Sequence, residues 1–66
     1  MIITINGEKK DVPENIILMD LLKQLSLEDK VMAAAVNMEI VKQDKWDQYE
    51  MEEGDILELL DFVGGG

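Results

Sequence analysis

Met1-Ile2-Ile3-Thr4-Ile5-Asn6-Gly7-Glu8-Lys9-Lys10-Asp11-Val12-Pro13 is the stretch that decides how the rest of the chain can fold. Ile3 and Ile5 alternate with Thr4 and Asn6, the period of a half-buried strand. Asn6-Gly7 then offers the two positive-φ residues that a type I′ hairpin turn requires, and a return strand follows from Glu8 to Val12. Pro13 has no N–H to donate and biases Val12 toward extended geometry, so the second strand stops there. An opening hairpin with one apolar face needs a second layer.

The next segment supplies that layer. Between Ile17 and Leu25 the period changes, with Leu18, Leu21, Leu22 and Leu25 recurring at spacings of three and four along one face of a helix. Asp20, Lys23 and Gln24 take the wet side, Met19 the edge of the stripe, and Asn15 is the candidate N-cap. Leu27 is the last apolar residue before a charged turn, Glu28-Asp29-Lys30. Val31-Met32-Ala33-Ala34-Ala35-Val36 suits helix or strand by composition. Its bounds, with Ile40-Val41 just past Asn37-Met38-Glu39, favour two short strands joined by a tight turn. The alanines would let a helix approach the sheet closely.

Lys42 to Tyr49 is polar apart from Trp46 and Tyr49, and a single helical turn there would fold both rings onto the body of the domain. Glu52-Glu53-Gly54-Asp55 forms a turn before a final strand, Ile56 to Val63. Antiparallel strands with one helix laid across a single face make an α+β layer architecture, in which the opening hairpin and the final strand share one sheet.

Composition narrows the chemistry. A 66-residue chain buries only about 60% of its unfolded surface, which leaves no room for a large catalytic cleft. With no cysteine and no histidine, it lacks thiolate catalysis, disulfides and the commonest general base and metal ligand. Fifteen Asp and Glu stand against six Lys, a net charge of −9 that repels nucleic acid and anionic lipid and suits a basic protein partner. The N-terminal residues turn polar too early for a signal peptide, and no apolar run approaches the roughly 18 residues of a bilayer span. A cytoplasmic location is expected.

After the last strand come Gly64-Gly65-Gly66. Terminal glycines are commonly a frayed end, but here the body of the chain offers no competing reactive group. The α-carboxyl of Gly66 is therefore the candidate working group, with Gly65 a slender approach to it and Gly64 a hinge. The expected organisation is one domain over residues 1–63 and a flexible tail over 64–66. Alternation in the last strand puts Leu57 and Leu59 on one face and Ile56, Glu58, Leu60 and Phe62 on the other. If Leu57 and Leu59 enter the core, then Leu60 and Phe62, with Ile2, form an apolar docking patch ringed by Glu58 and Asp61. If the opposite face is buried, the patch does not exist.

The ββαβ layout, Ala35-Val36-Asn37 followed by Ile40-Val41 and Trp46, the Glu53-Gly54-Asp55-Ile56 turn and the ending Phe62-Val63-Gly64-Gly65-Gly66 together resemble the ThiS family of thiamine-pathway sulfur carriers. The resemblance covers essentially the whole chain. One departure, at Lys42-Gln43, where the family often carries a basic residue slightly further along, touches no proposed chemistry.

The resemblance implies a ubiquitin-like β-grasp fold, a mixed sheet of four to five strands with one main helix. It also implies a carrier that is not itself an enzyme and holds no cofactor or metal. A ThiF-like enzyme would adenylate Gly66 with ATP and magnesium, a persulfide donor protein would supply sulfur to leave a thiocarboxylate, and a ThiG-like thiazole synthase would receive it. Three alternatives remain beside this. They are a MoaD-type small subunit of molybdopterin synthase, a ubiquitin-like modifier joined to lysines, and an acidic binding module with an inert tail.

Overall fold

A computed structural model describes residues 1–61, the last of them by its backbone. The expectations for Phe62, for the glycine tail 64–66, for the 1–63 domain boundary and for the Asp61 side chain lie outside the described residues.

The opening hairpin forms as its residues dictate. Strand β1 (Ile2–Ile5) pairs antiparallel with β2 (Glu8–Asp11), from Ile2 opposite Asp11 to Ile5 opposite Glu8. Asn6 at φ 48 and Gly7 at φ 86 make the two-residue turn. Ile3 and Ile5 point into the core, whereas β2 is exposed throughout and its charges protect that sheet edge from pairing with other chains.

Helix α1 (Leu18–Gln24) buries Leu18, Leu21 and Leu22, with Leu25 half-buried beyond its end. It is one residue shorter at each end than the periodicity suggested. Asn15 does not cap it. Asn15 sits at φ 60 in the preceding turn, and Ile17, in extended geometry, occupies the cap position without a side-chain bond. Two of the free N–H groups of the first turn are met from a distant segment, Leu18 N–H by the Tyr49 carbonyl at 2.7 Å and Met19 N–H by the Trp46 carbonyl at 2.9 Å. At the other end Ser26 turns left-handed at φ 59. Ser26 N–H then donates to the Lys23 carbonyl and Leu27 N–H to the Leu22 carbonyl, which closes the helix as a Schellman motif.

Strand β3 (Val31–Val36) and strand β4 (Glu39–Val41) form a second hairpin around Asn37 at φ 51 and Met38 at φ 71. Of the three alanines only Ala34 faces the helix, fully buried, while Ala33 and Ala35 point to the opposite face. The expectation that the run lets the helix approach therefore holds at Ala34 alone. A 3₁₀ turn, Gln43–Lys45, then carries Trp46 into the centre of the core, where its indole N–H donates to the Val41 carbonyl at 2.8 Å. Tyr49 packs half-buried against the core.

Strand β5 (Ile56–Asp61) lies in the middle of the sheet, whose order is β2-β1-β5-β3-β4. It runs parallel to β1 and antiparallel to β3, with a register irregularity between Val31 and Ala33. The helix covers one face over Ile3, Ile5, Val31, Ala34, Val36 and Leu57, and the other face stays open. Among the described residues no helix is long and apolar enough to cross a membrane.

Candidate functional site

The last strand presents its two faces unequally. Leu57 is completely buried and Leu59 packs against the core from its edge, whereas Ile56 and Leu60 are 50% and 60% exposed and Glu58 is exposed with them. Of the two faces left open by alternation, the Leu57 face is the covered one, because α1 lies over it. The open face carries Ile2 and Leu60, as the patch required, and adds Ile56 and Ile40.

Its shape comes from β3. Ala33 stands opposite Leu60, and Ala35 opposite both Glu58 and Ile40. Short side chains flanked by long ones leave a shallow depression of about 220 Å³, bounded by Ile40 and Leu60, with Glu58 beside it. An apolar side chain from a partner fits such a trough, and a neighbouring basic group would meet Glu58. Alternation along β5 indicated Leu60 and Glu58, but Ile40 and the alanines were not legible as parts of the same surface. Nothing in a run of three alanines says which of them faces solvent.

Two asparagines tie β5 in place. Asn37 donates from its side-chain nitrogen to the Asp55 carboxylate at 3.0 Å, and its side-chain oxygen accepts from Ile56 N–H at 2.9 Å. The second Asp55 oxygen accepts from Glu52 N–H at 2.8 Å and so closes the turn that feeds β5. Asn6 reaches the strand from the other flank, accepting from Leu59 N–H at 2.8 Å. Asn6 and Asn37 entered the sequence argument only as turn and landmark residues.

A second depression, of about 410 Å³, lies beyond β4 against Ile40, Val41, Lys42, Lys45, Gln48 and Tyr49. Burial raises the Tyr49 phenol above its ordinary 10.0, and the negative charges of Asp55, Glu52 and Glu39 raise it further. Tyr49 is thus a neutral hydroxyl at physiological pH. Among the described residues no group of three acidic side chains is placed to hold a metal ion.

The five-stranded mixed sheet with its single covering helix and central last strand defines a β-grasp, ubiquitin-like domain. The ThiS family model matches residues 2–66. A curated sulfur carrier protein ThiS of Bacillus subtilis (strain 168) is 36% identical over 47 residues, 71% of each chain. A thiazole synthase of Paramagnetospirillum magneticum is 33% identical over 66 residues, all of this chain and 20% of that protein. The chain therefore spans a fifth of that relative's length. The crystal structure of the thiamine biosynthesis protein ThiS from Geobacter metallireducens superposes with a TM-score of 0.83 at 29% identity, covering 100% of both chains. The solution structure of a thiamine biosynthesis protein from the same organism gives 0.78 at 29% identity, covering 100% of this chain and 88% of that one. The chain belongs to the ThiS family.

Proposed function

We propose that this protein is a sulfur carrier of thiazole formation in thiamine biosynthesis and that it works through the α-carboxyl of Gly66. The observation that carries the proposal is the family match running from residue 2 through the glycines to residue 66, with a sulfur carrier among the relatives. A carboxylate resists nucleophiles because its charge is delocalised. A ThiF-like enzyme using ATP and magnesium converts it to an acyl adenylate, whose AMP is a good leaving group. The terminal sulfur of a persulfide on the donor protein then displaces AMP to give an acyl disulfide. A second thiol outside this chain cleaves its S–S bond, forming a disulfide with the donor's sulfur and releasing the thiocarboxylate, a stronger nucleophile than the oxygen acid. Gly64 and Gly65 have no side chains, so they pass through a channel too narrow for other residues. The carrier is a co-substrate, and catalysis belongs to its partners.

Thiazole synthase is the receiving partner in this scheme. The thiazole synthase of Paramagnetospirillum magneticum contains a segment like the whole of this chain, which supports the pairing. The named thiamine relatives favour this branch over a molybdopterin one. Docking falls to the open face, where the Ile40–Leu60 trough receives an apolar side chain and Glu58 a basic rim. Intact-mass spectrometry after incubation with a ThiF-like enzyme, ATP, a persulfide donor and a thiol reductant tests the scheme. One oxygen should be exchanged for sulfur, and the change should vanish when Gly66 is deleted. An unchanged mass with a competent activating enzyme would overturn it.

A further inference from the structure

Where the first hairpin turns, β1 can no longer offer the carbonyl that its ladder to β5 needs, and the Asn6 side chain replaces it. β1 holds β5 through Thr4 N–H to the Asp55 carbonyl and Asn6 N–H to the Leu57 carbonyl, both at 2.9 Å. A regular parallel ladder would continue with Leu59 N–H donating to the backbone carbonyl of Asn6. Asn6, at φ 48, has already entered the turn. Its Oδ1 takes the bond instead, at 2.8 Å and across 53 residues of sequence. Asn37 uses the same substitution on the other flank. It donates its N–H to the Ile56 carbonyl at 2.8 Å and takes Ile56 N–H on its side-chain oxygen at 2.9 Å.

Beyond these bonds the two flanks diverge. β3 keeps pairing with β5 as far as Asp61, but the register with β1 ends at Ile5 opposite Leu57. Among the described residues the Asn6–Leu59 bond is thus the last attachment of β5 on the β1 side. We propose that Asn6 is a positioning residue for activation of Gly66, its side-chain oxygen fixing β5 at Leu59 on the flank where the pairing with β1 has ended. This role rests on the sulfur-carrier function above. Without this bond β5 would populate several arrangements at Leu59, and only the fraction in the latched one would seat on the activating enzyme. The apparent affinity falls by that fraction. The chemistry after seating belongs to the partner and is untouched.

Two variants separate this role from the turn's structural one. Asn6→Gly keeps the left-handed position and the hairpin but removes the acceptor, whereas Asn6→Asp keeps an oxygen on the same frame. ATP–pyrophosphate exchange by the adenylating enzyme gives KM and kcat for each carrier, and amide hydrogen exchange reports on Leu59. Asn6→Gly should speed exchange at Leu59 and raise KM roughly five-fold, the factor expected of one ordinary hydrogen bond, with kcat unchanged. Asn6→Asp should restore both. An unchanged KM in Asn6→Gly, an undisturbed Leu59 amide, or an equal rise in KM in Asn6→Asp would each overturn the positioning role. A wild-type carrier that supports no exchange would instead defeat the sulfur-carrier function, and the role with it.

Discussion

The side-chain amide of Asn37 donates to the carboxylate of Asp55 at 3.0 Å, although 18 residues separate them. The Val36-Asn37 and Gly54-Asp55 landmarks of the sequence are thus one structure, a polar clamp that joins the β3–β4 turn to the start of β5. Asp55 is buried and has both oxygens occupied, by Asn37 and by Glu52 N–H. Asp55→Asn would put an NH₂ where an acceptor is needed. It should cost about 1–3 kcal/mol. Asn37→Gly, which keeps the turn's φ and loses two side-chain bonds, should cost a similar amount in denaturant titrations. A loss below about 0.5 kcal/mol in both would show that water replaces the clamp.

Leu57 and Leu60 stand three apart on opposite faces of β5 and should fail differently. Leu57→Ala removes a fully buried side chain, at a cost of roughly 2–5 kcal/mol. That is comparable with the whole stability of so small a domain. Leu60→Asp alters a side chain that is 60% exposed, so its melting temperature should stay within a few degrees of wild type. Its affinity for the activating enzyme should fall ten-fold or more, as truncation of a buried anchor does. Calorimetric titration showing unchanged affinity would remove the trough from the interface.

Gly65→Ala separates the tail from the body. Among the described residues the buried core runs from Ile3 to Leu57; with Gly65→Ala, thermal unfolding should be unaltered while thiocarboxylate formation drops steeply. A substantial fall in melting temperature would assign the glycine to the fold instead.

Tyr49, the single tyrosine, should titrate above 10.0 in the native protein and return toward that value in guanidinium. Burial and the charges of Asp55, Glu52 and Glu39 favour its protonated form. A folded-state pKa above the unfolded one means that the stabilisation is complete below about pH 10 and is lost as pH rises through the folded value. Ultraviolet absorbance of the tyrosinate reads the midpoint directly. A native midpoint at or below the denatured one would contradict the burial.

Local chemistry was enough for the opening hairpin, the helix and the turn into β5. Asn6-Gly7 demanded a type I′ turn, the leucine spacing demanded a helix, and Gly54-Asp55 marked the turn into β5, because such preferences act within a few residues. The family could likewise be read from the order and spacing of these landmarks. Only the tertiary structure decided what lies between distant segments. It capped α1 with the carbonyls of Trp46 and Tyr49 in place of Asn15, ran β5 parallel to β1, and turned Ala33 and Ala35 outward as the floor of a trough. It also gave Asn6 and Asn37 their second task on β5. These are choices among partners that a local pattern leaves equivalent. They are settled by which backbone groups are still unpaired once the sheet and helix have closed on the core.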